Sequence, residues 1–180
     1  MFTRIKQFPL VLFSFTIIIS GLISCGGDPS ANTTAASPGG EQKTSAEVGI
    51  RNTLKTEYFD VTVESVKTAK SVKIDGFQDL KEEAGNKYLV IDVTLKNTDK
   101  ESRMMFDGTV VVKANGQEYK YEEAETILAD GWGIIMDNIN PLVTKKTKLV
   151  YKIAEELKGT AYYNPARSDA DEVINLGTID

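Results

Sequence analysis

Histidine is absent from the 180 residues, and cysteine occurs once, at Cys25. Without histidine, neither Ser-His-Asp nor Cys-His catalysis can be assembled, and the usual zinc and copper ligand sets lose their commonest member. A single cysteine closes no disulfide within the chain, so a core must hold by packing alone. Basic side chains are outnumbered, 21 against 26 acidic ones, for a formal charge of −5. That balance argues against nucleic acid as a partner and against broad electrostatic attraction to anionic lipid. The apolar run from Leu10 to Ile19 is broken by Ser14 and Thr16. It falls short of the ~18 residues or more that a membrane-spanning helix needs.

What is present begins with that run. Arg4 and Lys6 precede it, and the small residues Ser20, Gly21 and Ser24 follow. This is the layout of a secretory signal peptide over residues 1–24. Leu22-Ile23-Ser24-Cys25 resembles the bacterial lipobox, with an apolar residue three positions before the cysteine and a small one directly before it. The resemblance implies a diacylglyceryl group on the Cys25 sulfur, cleavage before Cys25, and a further acyl chain on the new amine. Two or three acyl chains anchor a protein stably where one does so only marginally. Loss of Arg4 and Lys6 with the signal peptide leaves 19 basic against 26 acidic side chains, near −7. Lipid rather than charge then holds the chain to the membrane. Gly26 directly follows the cysteine and the first acid is Asp28. By analogy with enteric sorting rules, the expected address is the outer membrane or cell surface rather than the inner membrane.

Residues 25–57 are expected to form a flexible tether. From Gly26 to about Ser45 the chain is mostly Gly, Ser, Thr, Ala, Asn and Pro with almost no apolar bulk to offset its ordering entropy. Such a coil reaches roughly 30 Å. Val48 to Leu54 is expected to form at most a transient helical turn.

The folded domain is expected over 58–180. Its centre is Gly85 to Asn97, where Leu89, Ile91, Val93 and Leu95 alternate with Val90, Asp92, Thr94 and Lys96. Period two with β-branched residues predicts a half-buried strand, with Val90 on the solvent side. Tyr58–Glu64 and Lys145–Ile153 alternate in the same way. Ser71–Ile74, Met104–Phe106, Ile134–Met136, Ala161–Tyr163 and Val173–Leu176 are shorter apolar candidates. Gly76–Gly85 and Asn164–Glu172 read as polar loops, and Asp137–Pro141 as a turn. Thr109–Lys113 and Glu118–Tyr121 flank Asn115-Gly116, which tolerates positive φ at both centres of a hairpin turn. Glu122–Ala129 is compatible with a helical turn or a loop. About seven or eight short strands with turns between them predict an all-β, immunoglobulin-like antiparallel sandwich.

The strand Gly85-x-Lys87-Tyr88-Leu89-Val90-x-x-Val93-x-Leu95-x-Asn97, the Asn-Gly hairpin, and the Asn140-Pro141 turn before a Thr-rich strand resemble a large bacterial family of unknown function. It comprises secreted proteins and lipoproteins with an immunoglobulin-like fold, structurally related to a secreted immunogenic mycobacterial protein. The resemblance covers about Tyr58 to Ile179 and implies that fold. It implies no catalytic residue, because the family has none agreed. Pro141-Leu142 departs from the family's usual Pro-Gly, which predicts a different turn there.

Few residues are left for chemistry. Met104, Met105 and Met136 could in principle bind cuprous copper, but without histidine partners they read as core filler. Glu82-Glu83, Glu122-Glu123-Glu125 and Asp169-Asp171-Glu172 lack the spaced, Gly-punctuated pattern of a calcium loop and read as solvated charge. Trp132 lies between Gly131 and Gly133. It is either an indole presented to a sugar or protein, or a plug for one end of the sandwich, and tryptophan's usual burial favours the plug. Alternation at Tyr162-Tyr163 puts one ring in and one out. Trp132, Tyr162 and Tyr163 are thus the candidate ligand contacts and Cys25 the lipidation site, with no cofactor, metal or catalytic residue assigned. The expected function is a lipid-anchored, non-catalytic module binding a protein or glycan of the envelope or host matrix. The alternative is an accessory subunit or carrier of a small ligand, a metal or an envelope glycan.

Overall fold

The structure is a computed structural model that describes residues 46–74, 79–134 and 137–180. Residues 1–45, with the expected signal peptide, Cys25 and most of the expected tether, residues 75–78 at the start of the Gly76–Gly85 loop, Ile135 and Met136 lie outside the described residues. Among the described residues the chain is all β, with eleven strands. They are β1 Glu47–Gly49, β2 Thr53–Lys55, β3 Phe59–Ala69, β4 Asn86–Asn97, β5 Arg103–Met105, β6 Thr109–Ala114, β7 Gln117–Tyr121, β8 Asp137–Ile139, β9 Thr144–Ala154, β10 Gly159–Asn164 and β11 Val173–Ile179.

Two sheets face each other across one core. One has the order β1-β11-β10-β6-β7, the other β2-β3-β4-β9, and β5 and β8 form a separate ribbon. Leu89, Ile91, Val93 and Leu95 of β4 and Leu149, Tyr151 and Ile153 of β9 meet Val110, Val112, Ala161, Tyr163, Ile174 and Leu176 from the opposite sheet. The alternation of β4 therefore places its apolar set where the sequence predicts. Antiparallel β3 matches it, with Val61 opposite Leu95 and Val63 opposite Val93, until the register shifts between Val63 and Ser65. Such a bulge turns the strand and strengthens its twist.

The polar ends of the β4 motif also have defined partners. Lys87 is buried and donates from Nζ to the main-chain oxygens of Leu157 (2.8 Å) and Asp180 (2.6 Å). Burial pushes its ammonium below the ordinary lysine range. Asn97 is fully buried; its amide donates to Glu101 and Ile139 carbonyls at 2.8 and 2.7 Å, while Oδ1 accepts the Asp99 N–H at 2.8 Å. One side chain thus ties the end of β4 to the turn that follows it and to strand β8.

Several expectations need correction. The tether does not extend to residue 57: β1 pairs in parallel with β11, and β2 pairs antiparallel with β3, burying Leu54. No helical turn forms between them. Arg51 adopts φ 65° and its N–H donates to the Val63 carbonyl at 2.7 Å, so the chain steps from one sheet to the other. The β1–β11 pair also makes the sandwich not purely antiparallel. Asp137–Ile139, expected as part of a turn, is strand β8, paired with β5. Glu122–Ala129 forms no regular element, and Ser71–Ile74 contributes only a bridge from Val72 to Leu80.

The largest correction concerns Val90. Its face is not solvated: Val72, Ile74, Tyr88, Val90, Ile127 and Val150 form a second buried cluster on the outside of the four-stranded sheet. Tyr88 fastens part of the cover, its hydroxyl donating to the Lys81 carbonyl at 3.0 Å.

The Pro141-Leu142 turn keeps the geometry a glycine would favour. Val143 N–H donates to the Asn140 carbonyl at 3.1 Å, and Leu142 sits at φ 64° with 72% of its surface exposed. A left-handed non-glycine residue costs roughly 1–2 kcal/mol, and glycine's extra unfolded-state entropy offsets about 0.5–1 kcal/mol of the relief. Leu142→Gly should therefore stabilise the domain by about 0.5–1 kcal/mol in denaturant melts. A loss of stability would contradict this account of the turn.

Candidate functional site

The bend between β5 and β6 carries Phe106-Asp107-Gly108. Gly108 has φ 82°, and a Cβ there would lie 2.6 Å from the Asn164 carbonyl oxygen and 2.9 Å from the Tyr163 ring. Only glycine lets the bend approach the loop after β10 so closely. The main-chain oxygen of Asp107 accepts hydrogen bonds from two core tyrosine hydroxyls, Tyr151 at 2.9 Å and Tyr163 at 2.8 Å. Burial pushes both phenols well above their ordinary range, so they remain protonated donors. The Asp107 carboxylate accepts the Ile134 N–H at 3.2 Å, and burial raises its pKa. The sandwich core thereby fixes a half-buried acid at the edge of the fold.

This acid lines a groove of about 570 Å³. One wall is Phe106–Thr109, the second Glu122–Ile127, and the third Asn164–Ser168. Asn164 braces the third wall by donating to the carbonyls of Asp169 and Glu172, both at 2.8 Å. Arg167, at φ 63°, donates to the Met104 carbonyl and places its guanidinium 5.5 Å from the centre of the Phe106 ring. Phe106 remains 42% exposed. The groove thus offers carboxylates, one guanidinium and one aromatic face on rigid supports. Asp107 is not among the residues singled out by the sequence; its signal is an Asp-Gly pair between two apolar strands.

The predicted contact residues do not converge on this groove. Trp132 is neither an end plug nor a free indole. It is half-buried against the second cluster on the outer face of the four-stranded sheet, bridged in parallel to Lys148. The Lys148 ammonium lies 5.5 Å from its ring centre and 3.3 Å from Asp92. Tyr163, expected as a contact, is instead fully buried in the core and cannot touch a ligand. Tyr162 points to the outer face of the five-stranded sheet with Lys113 5.1 Å above its ring, so the expected split of the pair holds.

Among the described residues no three acidic side chains converge as a metal site. Glu83 and Glu125 instead flank Lys152 at 3.1 and 3.4 Å, and Glu172 accepts the Asp169 N–H at 2.9 Å. Met105 is buried in the core. Met136 and Cys25 lie outside the described residues.

A family model described as a domain of unknown function (DUF4352) matches residues 48–166, which takes in β2, both faces of β4 and all three walls of the groove up to Ala166. Among solved structures, an uncharacterized β-sandwich protein of Clostridium difficile is similar with a TM-score of 0.53 and 18% identity, covering 78% of this chain and 99% of that one. A conserved hypothetical protein of Bacillus anthracis gives 0.49 and 19%, covering 74% of this chain and 95% of its own. A candidate lipoprotein of Bacillus subtilis gives 0.44 and 16%, covering 71% of this chain and 38% of its own. The first of these likenesses shows the β-sandwich fold and carries no function with it. Among curated proteins none matches the chain.

Proposed function

The chain belongs to the DUF4352 family, a domain of unknown function, and on that premise we propose that it is a non-catalytic binding module, held at the cell envelope by lipid on Cys25. Its contact surface is the groove between Phe106–Thr109, Glu122–Ile127 and Asn164–Ser168. The partner is a protein or glycan of the envelope or host matrix that donates hydrogen bonds to Asp107 and packs an apolar edge on Phe106. The lipobox supports the anchor, and the position of Gly26 supports outer-membrane or surface display.

The observation that carries this reading is Asp107. Its carboxylate is half-buried and accepts one main-chain N–H, at 3.2 Å, while burial raises its pKa. A carboxyl whose folded pKa lies above its unfolded value favours folding below the unfolded pKa. That contribution is lost as pH rises through the folded pKa. At neutral pH Asp107 therefore works against stability, as expected of a group placed for contact rather than for the fold.

Asp107→Asn keeps the acceptor for Ile134. It should raise the melting temperature at neutral pH relative to acid pH, and weaken capture of envelope and matrix components by the immobilised protein. Phe106→Ala should weaken the same capture. Capture unchanged in both variants would overturn the groove as the contact surface. For the anchor, Cys25→Ala should leave the membrane fraction; retention in the detergent phase with unchanged cleavage would overturn lipidation at that residue.

A further inference from the structure

The five-stranded sheet ends on β7, whose outer edge is open. Ala114 and Gln117 pair across the Asn115-Gly116 turn, and the register continues as Lys113 with Glu118, Val112 with Tyr119, Val111 with Lys120 and Val110 with Tyr121. In a hairpin with a two-residue turn the pair flanking the turn is hydrogen-bonded, and bonded pairs then alternate. Gln117, Tyr119 and Tyr121 therefore spend their main-chain groups on β6. The N–H and C=O of Glu118 and Lys120 point away from it. Among the described residues no main-chain group pairs with them there. Glu118, Tyr119 and Lys120 are all exposed.

The opposite ends of the molecule's edges are treated differently. Along β9, the far edge of the other sheet, Glu125 N–H donates to the Val150 carbonyl, Lys148 N–H to Gly131, and Gly133 N–H to Lys148. That edge is covered by the chain itself, whereas β7 is not.

We propose that β7 is a self-association edge, on which a second copy of this chain adds its own β7 antiparallel about a twofold axis through Tyr119. Charge selects this register. With the axis at Tyr119, Glu118 lies opposite the second copy's Lys120, and Lys120 opposite its Glu118. Both are the residues with outward main-chain groups, so hydrogen bonding and charge pairing coincide. An axis at Glu118 or at Lys120 sets like charges directly opposite each other, which is destabilising. The two Tyr119 rings meet at the axis as a non-bonded pair. Because a twofold contact uses the same patch on both partners, it closes at a dimer and propagates no fibre. The strand leads directly into Glu122, the start of one groove wall, so pairing would join two grooves through one continuous sheet.

The geometry gives a sharp test. Across a non-bonded antiparallel pair the Cα atoms are about 4.5 Å apart, within the ~4.4–6.8 Å that a disulfide spans. In the full chain, expressed in cells and treated with a mild oxidant, Tyr119→Cys should give a disulfide-linked dimer as the dominant species on a non-reducing gel. Lys55→Cys, exposed on the edge strand of the other sheet, should stay monomeric. The unmodified chain, which carries only Cys25, controls for that residue. Adding Lys120→Glu to Tyr119→Cys sets acid against acid and should abolish the dimer. Adding Glu118→Lys as well restores opposite charges and should bring it back. A monomer at Tyr119→Cys, equal cross-linking at Lys55→Cys, or indifference to the charge exchange would each overturn the proposal. None of these results depends on the groove or on its ligand.

Discussion

Replacing Gly159 with alanine should cost about 3 kcal/mol or more, a large share of the roughly 5–15 kcal/mol that holds a domain together. Gly159 opens β10, and a Cβ there would lie 2.2 Å from the Lys113 carbonyl oxygen and 3.1 Å from the Ala114 side chain. No side-chain rotation relieves a collision with backbone. The start of β10 must move away from β6, and the pairing of Thr160 with Lys113 must loosen. The comparison is Gly85→Ala. Gly85 has φ 78° but nothing within 4 Å of the added atom, so only its backbone conformation is penalised, at roughly 1–2 kcal/mol less the about 0.5–1 kcal/mol of unfolded-state entropy that glycine brings. Denaturant melts of the two variants separate close packing from backbone strain. Equal losses would mean that β10 does not approach β6 as closely as described.

Along β4 the even-numbered positions should divide into two classes, judged against Ile91 on the core face. Ile91→Ala removes a fully buried aliphatic and should cost ~2–5 kcal/mol. Val90→Thr would be mild on a solvated face. Here it puts a hydroxyl among Val72, Ile74, Ile127 and Val150. An unsatisfied buried hydroxyl costs about 1–3 kcal/mol. Lys96→Ala, on an exposed side chain further along the same face, should stay within about ±0.5 kcal/mol. Melts of this series would trace where the outer cover of the sheet ends. A Val90→Thr loss no larger than that of Lys96→Ala would show that the cover does not exclude water.

The same division separates what the sequence could specify from what it could not. Period-two alternation determined β4, β9 and the start of β3, since each strand's own residues decide which face is apolar. Asn115-Gly116 determined the β6–β7 hairpin, because positive φ at both positions is a local requirement, met at 52° and 77°. Tertiary structure alone decided that β1 and β2 are strands. Three-residue edge segments with few apolar side chains have little local preference, and pairing with β11 and β3 supplies it. It also decided that Val90 and Trp132 share a buried cluster. Alternation marks one apolar face but carries no record of what distant segment covers the other. The groove is the extreme case. Its walls come from residues 106–109, 122–127 and 164–168, and no local pattern joins them. Asp107 becomes a candidate only after Tyr151 and Tyr163, on two different sheets, fix its carbonyl and Gly108 admits the loop after β10. Patterns within a strand are written in consecutive residues; a site assembled from three separated bends exists only once the sheets that hold them have packed.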